Sequence, residues 1–288
     1  MTETTTRDTA FRFFQDIAED LTRGQLVFPT FLQASASVRE ALTRSDWSST
    51  ELAQLVSREP LLCARVVSLA NSTAHNPSGA EIIDVKSACM RVGRRAIRSL
   101  AATLLVEQAA RSKEPGFFSV QARDIWEHSL AVAVIGFVLA QHTGRVSADE
   151  AMFAGLVHDL GHFYLYWRAT QFEALAGEPE RIRELAHDWH AAIGHQLMLD
   201  MNLPAGLAIA CEEHENDPGT LVPGSLSELL CVANLCSMAH AGTVVDERTD
   251  EKDSGRLSVA RARDLLRQNS ATVASLFSAL MGAGAPSS

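Results

Sequence analysis

The residues most able to do chemistry in this sequence are histidines and one aspartate. The segment AMFAGLVHDLGHFYLYW places His158 directly before Asp159 in an apolar stretch. A neutral imidazole and a carboxylate suit a divalent transition metal, and a carboxylate can bridge two ions. His162 follows His158 by four residues, a helical spacing that can place two imidazoles on one ion. A His-Asp pair is common by chance, so its meaning depends on which other ligands can reach it.

Further candidate ligands lie in other apolar segments. His128 lies in WEHSLAVAVIGFVLA, His190 begins HAAIGHQLML, and Glu213-His214 interrupt another helical pattern. Each can face inward from a different helix, and burying Asp159 without a cation or a hydrogen-bond partner would be costly. The structural alternative is a histidine satisfied by a backbone carbonyl. That alternative is the interpretation for the histidines outside this set, which are His75, His142, His187, His195 and His240.

The elements that must position these residues are predicted to be helices. The chain has 288 residues, 47% of them hydrophobic, so it can bury a sizeable core. Aromatic residues make up only 6%, and Ala, Leu, Arg, Glu and Gln dominate most segments, which favours helices over sheets. No fixed-period repeat and no alternation of strands with helices is visible. The predicted fold class is all-α, a helical bundle of two packed sub-bundles.

Turn and cap signals give approximate helix boundaries. An amphipathic pattern from Phe11 to Leu21 predicts a short first helix. The run Ser48–Glu51 can cap a second helix, Glu59-Pro60 can start a third, and Gly93 is predicted to divide a longer helical stretch. Beyond a loop at 113–116, helical patterns follow near residues 119–143, 147–168, 170–177, 179–201, 204–215, 225–241 and 258–281.

Charge and composition exclude several function classes. A formal net charge of −10 makes nucleic acid an unlikely partner, because neutralising phosphates requires clustered Lys and Arg. The best basic cluster is typical of a solvated or partner-facing helix surface and consists of Arg91, Arg94, Arg95 and Arg98. Neither a signal peptide nor an uncharged apolar stretch of about 18 residues is present, which predicts a cytoplasmic protein with no membrane partner.

The five cysteines form no CxxC pair of the kind found in zinc knuckles or redox motifs. They are predicted to be buried, small apolar residues in a reducing compartment. They are Cys63, Cys89, Cys211, Cys231 and Cys236.

The N-terminal half carries a second pattern. The segments VFPTFLQ, ELAQLVSREPLLCARVVSLANS and KSACMRVGRRAIRSLAATL resemble the HDOD family, an HD-related group of output domains, over roughly residues 25 to 240. The histidine order likewise resembles the HD superfamily of metal-dependent phosphohydrolases. The resemblance implies that the half from 117 to 240 is HD-superfamily-like. It divides the chain into an N-terminal helix and tail (1–24), an HDOD domain (25–240, with halves 25–112 and 117–240), and an acidic loop, C-terminal helix and tail (241–288).

Carried over by position, the resemblance implies a metal-ligand set. The matching positions are His128 for the first His, His158 and Asp159 for the His-Asp pair, His190 for an HxxxG element, Glu213-His214 for a paired His before Glu215, and Asn234 for the final Asp. The implied cofactor is a divalent metal such as Fe, Mn or Ni, and Asp159 is the catalytic residue if the site is active.

The departures from the family pattern weaken the inference of catalysis. An amide at Asn234 removes one negative charge from the metal's ligands, which should weaken binding, whereas Glu213 could partly restore charge at the second position. His162 replaces a Lys, and the GYP stretch is missing from ENDPGTLVPGS. The resemblance therefore implies a bacterial signal-transduction output or scaffold module that binds partner signalling proteins. A cyclic dinucleotide ligand, a homodimer, and a metal-dependent phosphohydrolase or phosphodiesterase remain open.

Overall fold

The computed structural model describes residues 3–22, 48–72, 75–109, 117–175, 177–216, 224–240 and 259–281. In these ranges the chain forms helices joined by turns and contains no strand. The all-α fold class predicted from composition is therefore confirmed. Four sequence features lie outside the described residues: VFPTFLQ at 27–33, the loop at 113–116, the acidic stretch at 246–255 and the tail from 282.

The N-terminal half contains helices α1 (Glu3–Thr22), α2 (Ser49–Val56), α3 (Pro60–Asn71) and α4 (Val85–Ala109). The predicted cap of α2 is a capping box, since Ser48 and Glu51 exchange backbone-to-side-chain hydrogen bonds of 2.9 and 3.2 Å. Helix α3 begins with Pro60, and the Glu59 carboxylate accepts from the amides of Leu61 and Leu62. Gly93 interrupts α4 with φ 76°, which confirms the predicted division.

The end of α3 is held by Asn71. Its side-chain amide donates to the Ile82 carbonyl at 2.8 Å, and its side-chain oxygen accepts from the Ile82 amide at 2.8 Å. This paired contact gives the extended segment before α4 the partners that a neighbouring strand would otherwise supply. Asn71, the Asn of the LANS element, therefore joins the end of α3 to the segment before α4 and has a structural role.

The C-terminal half is built around α5 (Phe117–Thr143), which packs against several of the helices that follow it. These helices are α6 (Ala148–Val157), α7 (Leu160–Gln171), α8 (Pro179–Asp200), α9 (Ala205–Glu212), α10 (Leu226–His240), α11 (Val259–Gln268) and α12 (Ser270–Met281).

The two halves meet mainly along α6. Helices α3 and α4 both contact α6, and α12 contacts both α2 and α5. Helix α1 is fastened to the C-terminal half by the Phe14 and Trp189 rings, whose centroids lie 4.6 Å apart, and by an ion pair of 2.8 Å between Asp20 and Arg168. The helix that precedes the His-Asp pair therefore also contacts the N-terminal half.

One described helix segment, Val120–Thr143, is long and apolar enough to cross a membrane by length and composition. Of its most apolar 18-residue window, 56% is buried inside the protein. This burial is that of a core helix in a bundle, because other helices cover it on several sides.

Several predicted boundaries were wrong. The helix predicted at 147–168 is interrupted after Val157, and that predicted at 258–281 is interrupted at Asn269. The segment 170–177 contains only a short 3₁₀ turn, Glu173–Leu175. Helix α1 begins at Glu3 rather than near Phe11, because an apolar periodicity detects only the part of a helix that packs, and its first turns are polar.

Candidate metal centre

The His-Asp pair lies in the sharp turn between α6 and α7, not within one helix. His158 is the last residue of α6 in helical geometry, and Asp159 (φ −99°, ψ 19°) precedes the first residue of α7 without capping it. The carboxylate is therefore left to face the histidines. A continuous helix would have pointed the two side chains about 100° apart.

Two glycines permit the close packing that this turn needs. A Cβ on Gly155 would overlap the backbone of Val132 and Ala133 in α5, and a Cβ on Gly161 would overlap the His190 carbonyl and approach the Gly194 amide nitrogen to 2.8 Å. These glycines bring α6 against α5 and α7 against α8. The three helices thereby carry His128, His158 and His190 to one place.

One oxygen of Asp159 faces a first group of donors. Its Oδ2 lies 3.4 Å from Nε2 of His158 and 3.7 Å from Nε2 of His128. The two Nε2 atoms are 3.3 Å apart. These three residues, which we name the first donor set, have ligand atoms close enough to share an ion.

The other oxygen of Asp159 faces a second group. Its Oδ1 lies 3.6 Å from Nε2 of His214 and 3.9 Å from Nε2 of His190. These two nitrogens are 3.4 Å apart, and the Glu215 carboxylate lies 3.5 Å from His190 Nε2. We name His190, His214 and Glu215, with Asp159 Oδ1, the second donor set. Asp159 thus lies between the two sets, as a bridging carboxylate would.

Backbone carbonyls orient the imidazoles. Nδ1 of His158 donates to the Gly155 carbonyl at 2.9 Å, and Nδ1 of His190 donates to the His187 carbonyl at 2.8 Å. Nδ1 of His214 likewise donates to the Cys211 carbonyl at 2.5 Å. Because a carbonyl only accepts, Nδ1 carries the proton in each ring, and in the neutral ring Nε2 presents a lone pair towards Asp159.

Burial keeps the rings of His158 and His190 neutral. Both are almost completely buried, and burial lowers the pKa of His158 to about 3 and that of His190 to about 4. Burial opposes ionisation of Asp159, but the imidazoles of His158, His162 and His214, with a hydrogen bond from His162, outweigh it and hold the pKa of Asp159 well below its usual value. The centre therefore contains an ionised carboxylate next to two neutral imidazoles.

The donor atoms fit a divalent transition metal. Two imidazole nitrogens that bind one tetrahedral ion at about 2.0–2.1 Å are about 3.3–3.4 Å apart. The observed separations, 3.3 Å for His128 with His158 and 3.4 Å for His190 with His214, match that spacing. The Nδ1–carbonyl hydrogen bonds are also those that metal-binding histidines commonly make.

The remaining predicted ligands lie differently. Glu213 ends α9 and belongs to none of the clusters of potential metal ligands found among the described residues, whereas Glu215 belongs to one. Asn234 is 2% exposed, and its Oδ1 has no hydrogen-bond partner in the described part of the chain. The roles of Glu213 and Asn234 as ligands stay predictions.

The structure adds Ser237 and Glu215 to the site. Ser237 lies 3.2 Å from His128 Nδ1, and the Glu215 carboxylate lies 3.5 Å from His190 Nε2.

The structure also changes the partners predicted for His162. His162 hydrogen-bonds Asp159 Oδ1 at 3.1 Å and stacks on His190 with ring centroids 3.7 Å apart. It joins Asp159 and His190 rather than His158, because the helix break cancels the four-residue spacing.

The other residues singled out in the sequence, the cysteines, Arg91 and His195, make contacts within the fold. All five cysteines are free and buried, as predicted. Arg91 donates to the His75 carbonyl and to the Asn76 side chain. One member of the arginine cluster therefore stabilises the turn after α3. His195 pairs with Glu212 at 2.7 Å, away from Asp159.

Comparison with known proteins places these features in a family. The sequence profile of the HDOD domain matches residues 28–217. No curated protein sequence matches the chain.

Solved structures share the fold at low identity. The MmoQ response regulator from Methylococcus capsulatus str. Bath is 22% identical, with a TM-score of 0.59, covering 87% of this chain and 98% of its own. A candidate metal-dependent phosphohydrolase from Shewanella amazonensis SB2B is 20% identical, with a TM-score of 0.52, covering 95% and 99%. A virulence factor from Campylobacter jejuni subsp. jejuni is 15% identical, with a TM-score of 0.54, covering 77% and 82%. At these identities the likeness shows the fold alone.

Proposed function

The chain belongs to the HDOD family, and we propose that it is a signal-transduction output module that binds a divalent transition metal in its HD-type pocket and acts by binding partner proteins rather than by hydrolysis. A cyclic dinucleotide is the small ligand we assign to it. The response-regulator description of the Methylococcus capsulatus relative supports a signalling role.

The observation that carries the metal-binding part is the arrangement around Asp159. Four histidines from different segments bring Nε2 within 3.4 to 3.9 Å of its two oxygens. A buried carboxylate close to imidazole nitrogens that can present lone pairs is a set of donors that a bound cation would stabilise. These donor atoms support metal binding whatever family the chain belongs to.

The non-catalytic part rests on Asn234. An acidic residue at this position would add negative charge to a metal's ligands, and an amide does not. Asn234 lies one helical turn before Ser237, which contacts His128, so both lie on the face of α10 that packs on α5. The first donor set therefore has one shared carboxylate and no acid of its own.

A route for signalling follows from the packing of α6. This helix ends at Val157, next to His158 and Asp159, and contacts α3 and α4 in the N-terminal half. Metal binding that fixes Asp159 would also fix the adjacent end of α6, and hence the surface on which α3 packs. Hydrogen exchange of α3 amides should slow when metal is added, and an unchanged α3 would remove this route.

A second candidate function is a metal-dependent phosphohydrolase, favoured by the placement of Asp159 between two histidine pairs. A bound divalent ion would supply a water activated for attack on phosphorus. The residues of this chain would hold the ion, orient it through the Nδ1 hydrogen bonds and exclude bulk solvent from the buried face.

The deciding experiment combines metal analysis with hydrolysis assays on bis(p-nitrophenyl) phosphate and cyclic di-GMP. We expect a bound divalent ion, no turnover beyond that of the Asp159→Ala variant, and capture of partner proteins from a cell extract that changes when cyclic di-GMP is added. Turnover abolished by Asp159→Ala would establish the hydrolase instead. Protein that binds no metal under any loading condition would refute both forms of the proposal.

A further inference from the structure

The two donor sets around Asp159 are not equivalent, and we propose that the chain holds a single divalent ion in the second set, formed by His190, His214, Glu215 and one oxygen of Asp159. The first set takes an ion only when Asn234 is made acidic. This inference rests on the proposed metal-binding function and states which of the two donor sets holds the ion.

With the ring protons on Nδ1, the neutral rings of His190 and His214 have no proton between their Nε2 atoms. Nδ1 of His190 donates to the His187 carbonyl, and Nδ1 of His214 donates to the Cys211 carbonyl. Both Nε2 atoms therefore present lone pairs to each other across 3.4 Å. Two acceptors at this distance repel unless a cation lies between them, so this pair is built to receive one.

The first imidazole pair can close a hydrogen-bond chain without a cation. The Ser237 hydroxyl lies 3.2 Å from His128 Nδ1 and can donate to it. Nε2 of His128 can then carry the ring proton and donate to Nε2 of His158 at 3.3 Å. His158 completes the chain by donating from Nδ1 to the Gly155 carbonyl. Every nitrogen in this pair has a partner.

Ligand charge favours the same position. The sets share Asp159, with Oδ2 towards His158 and Oδ1 towards His214. The second set has a further carboxylate, since Glu215 lies 3.5 Å from His190 Nε2. Among the described residues, Asp159 is the one carboxylate that groups with His128 and His158. A divalent ion that leaves water for a buried site is held better where more ligand charge compensates the lost hydration.

Exposure agrees with this order. The side chains of His190 and His214 are each 1% exposed, whereas that of His128 is 24% exposed. Rigid, buried imidazoles lose less freedom when they bind an ion than a partly exposed one does. The imidazoles of the second set are thus the more pre-organised ones, and its Glu215 side chain, 32% exposed, supplies the added carboxylate from the rim.

The test is titration of metal-free full-length protein with Co²⁺, followed by visible absorption and by elemental analysis after dialysis. The wild type should bind one equivalent. Glu215→Gln should weaken binding by about 10- to 100-fold, as loss of a metal-site carboxylate commonly does. Glu212→Gln is the matched control, because it makes the same change three residues away at an exposed position that joins none of the clusters of potential metal ligands among the described residues, and its affinity should stay within about twofold of wild type.

A gain of binding provides the second arm. Asn234→Asp should raise the stoichiometry from one ion to two, and the added ion should disappear again in the Asn234→Asp, His128→Ala double variant. Circular dichroism of each variant checks the fold independently of metal.

Different results separate this inference from the function on which it rests. Two ions bound by the wild type, or one ion lost in His128→Ala but retained by Glu215→Gln, would overturn the assignment to the second set while leaving metal binding intact. One ion in Asn234→Asp would overturn the role given to Asn234. No Co²⁺ bound to correctly folded wild type would overturn both the inference and the proposed function.

Discussion

The Nε2 atoms of His190 and His214 lie 3.4 Å apart. Nδ1 of His190 donates to the His187 carbonyl in α8, and Nδ1 of His214 donates to the Cys211 carbonyl in α9. The helix backbone therefore fixes where both lone pairs point. Because His190 lies on α8 and His214 follows α9, an ion between them would also join these two segments. Metal binding should consequently raise the free energy of unfolding of the protein.

We expect Asp159→Asn to abolish stabilisation by metal without unfolding the protein. The amide is nearly the same size and keeps an oxygen for the hydrogen bond from His162, so the metal-free variant should stay folded. At 100 times the dissociation constant, a ligand that binds only the folded state adds about 2.7 kcal/mol to its stability. Thermal unfolding in EDTA and in Mn²⁺ measures both effects.

The control for that substitution is Asp188→Asn, on the exposed face of α8. It should keep the full response to Mn²⁺. An equal response in Asp159→Asn and in wild type would show that the bridging carboxylate has no part in binding.

We expect Gly161→Ala to destabilise the fold by about 1–3 kcal/mol or more, because the added methyl group would overlap the backbone of α8 at His190. Gly206→Ala is the matched control, since a Cβ there meets nothing within 4 Å and alanine favours a helix by about 1 kcal/mol. Urea unfolding of both variants should show changes of opposite sign. Equal changes would mean that the close approach of α7 and α8 is not required.

We expect Asn71→Ala to cost about 2–3 kcal/mol, because both backbone groups of Ile82 would lose their partner. Asn71→Asp should fall between wild type and the alanine variant, since it retains the acceptor for the Ile82 amide and loses the donor. Chemical unfolding of the three proteins at one pH gives the order. An aspartate variant less stable than the alanine variant would show that the hydrogen bonds between Asn71 and Ile82 do not stabilise the fold.

The stability of the protein should depend on pH through Glu59. Burial raises the pKa of Glu59 from 4.5 to about 7, against the opposing effect of its hydrogen bonds from Leu62 and Leu61. The folded state therefore binds a proton that the unfolded state releases above about 4.5. The resulting stability is fully present below that pH and is lost as pH rises to about 7 and beyond.

The comparison protein for this effect is Glu59→Gln, which cannot titrate. Relative to it, wild type should lose up to about 3 kcal/mol of unfolding free energy between pH 4.5 and pH 8. Urea unfolding of both proteins across this range measures the difference. A constant difference would show that Glu59 has the same pKa in the folded and unfolded chains.

Much of the architecture could be predicted from local signals. Ser48 with Glu51, and Glu59 with Pro60, carry cap and start chemistry within a few residues, so their helices begin where predicted. Gly93 also marks the interruption of α4, because its positive φ is a property of that residue alone. The interruption at His158 and Asp159 gave no such signal, since the surrounding residues are apolar and helix-favouring.

The candidate site could be predicted only in part. The resemblance identified His128, His158, Asp159, His190 and His214, which the structure brings together. It could not distinguish Glu213 from Glu215, because the choice depends on how the chain turns after α9. The contact of Ser237 with His128 joins residues 109 positions apart and depends on the packing of α10 against α5, which a single sequence does not specify.

If the imidazoles around Asp159 bind a divalent cation, elemental analysis after equilibrium dialysis against Mn²⁺ should detect the ion in wild type. The ion should be lost in the His214→Ala variant and kept in the His195→Ala variant, whose ring pairs with Glu212 instead. Folded wild-type protein that retains no more Mn²⁺ than His214→Ala would show that these imidazoles do not bind a cation.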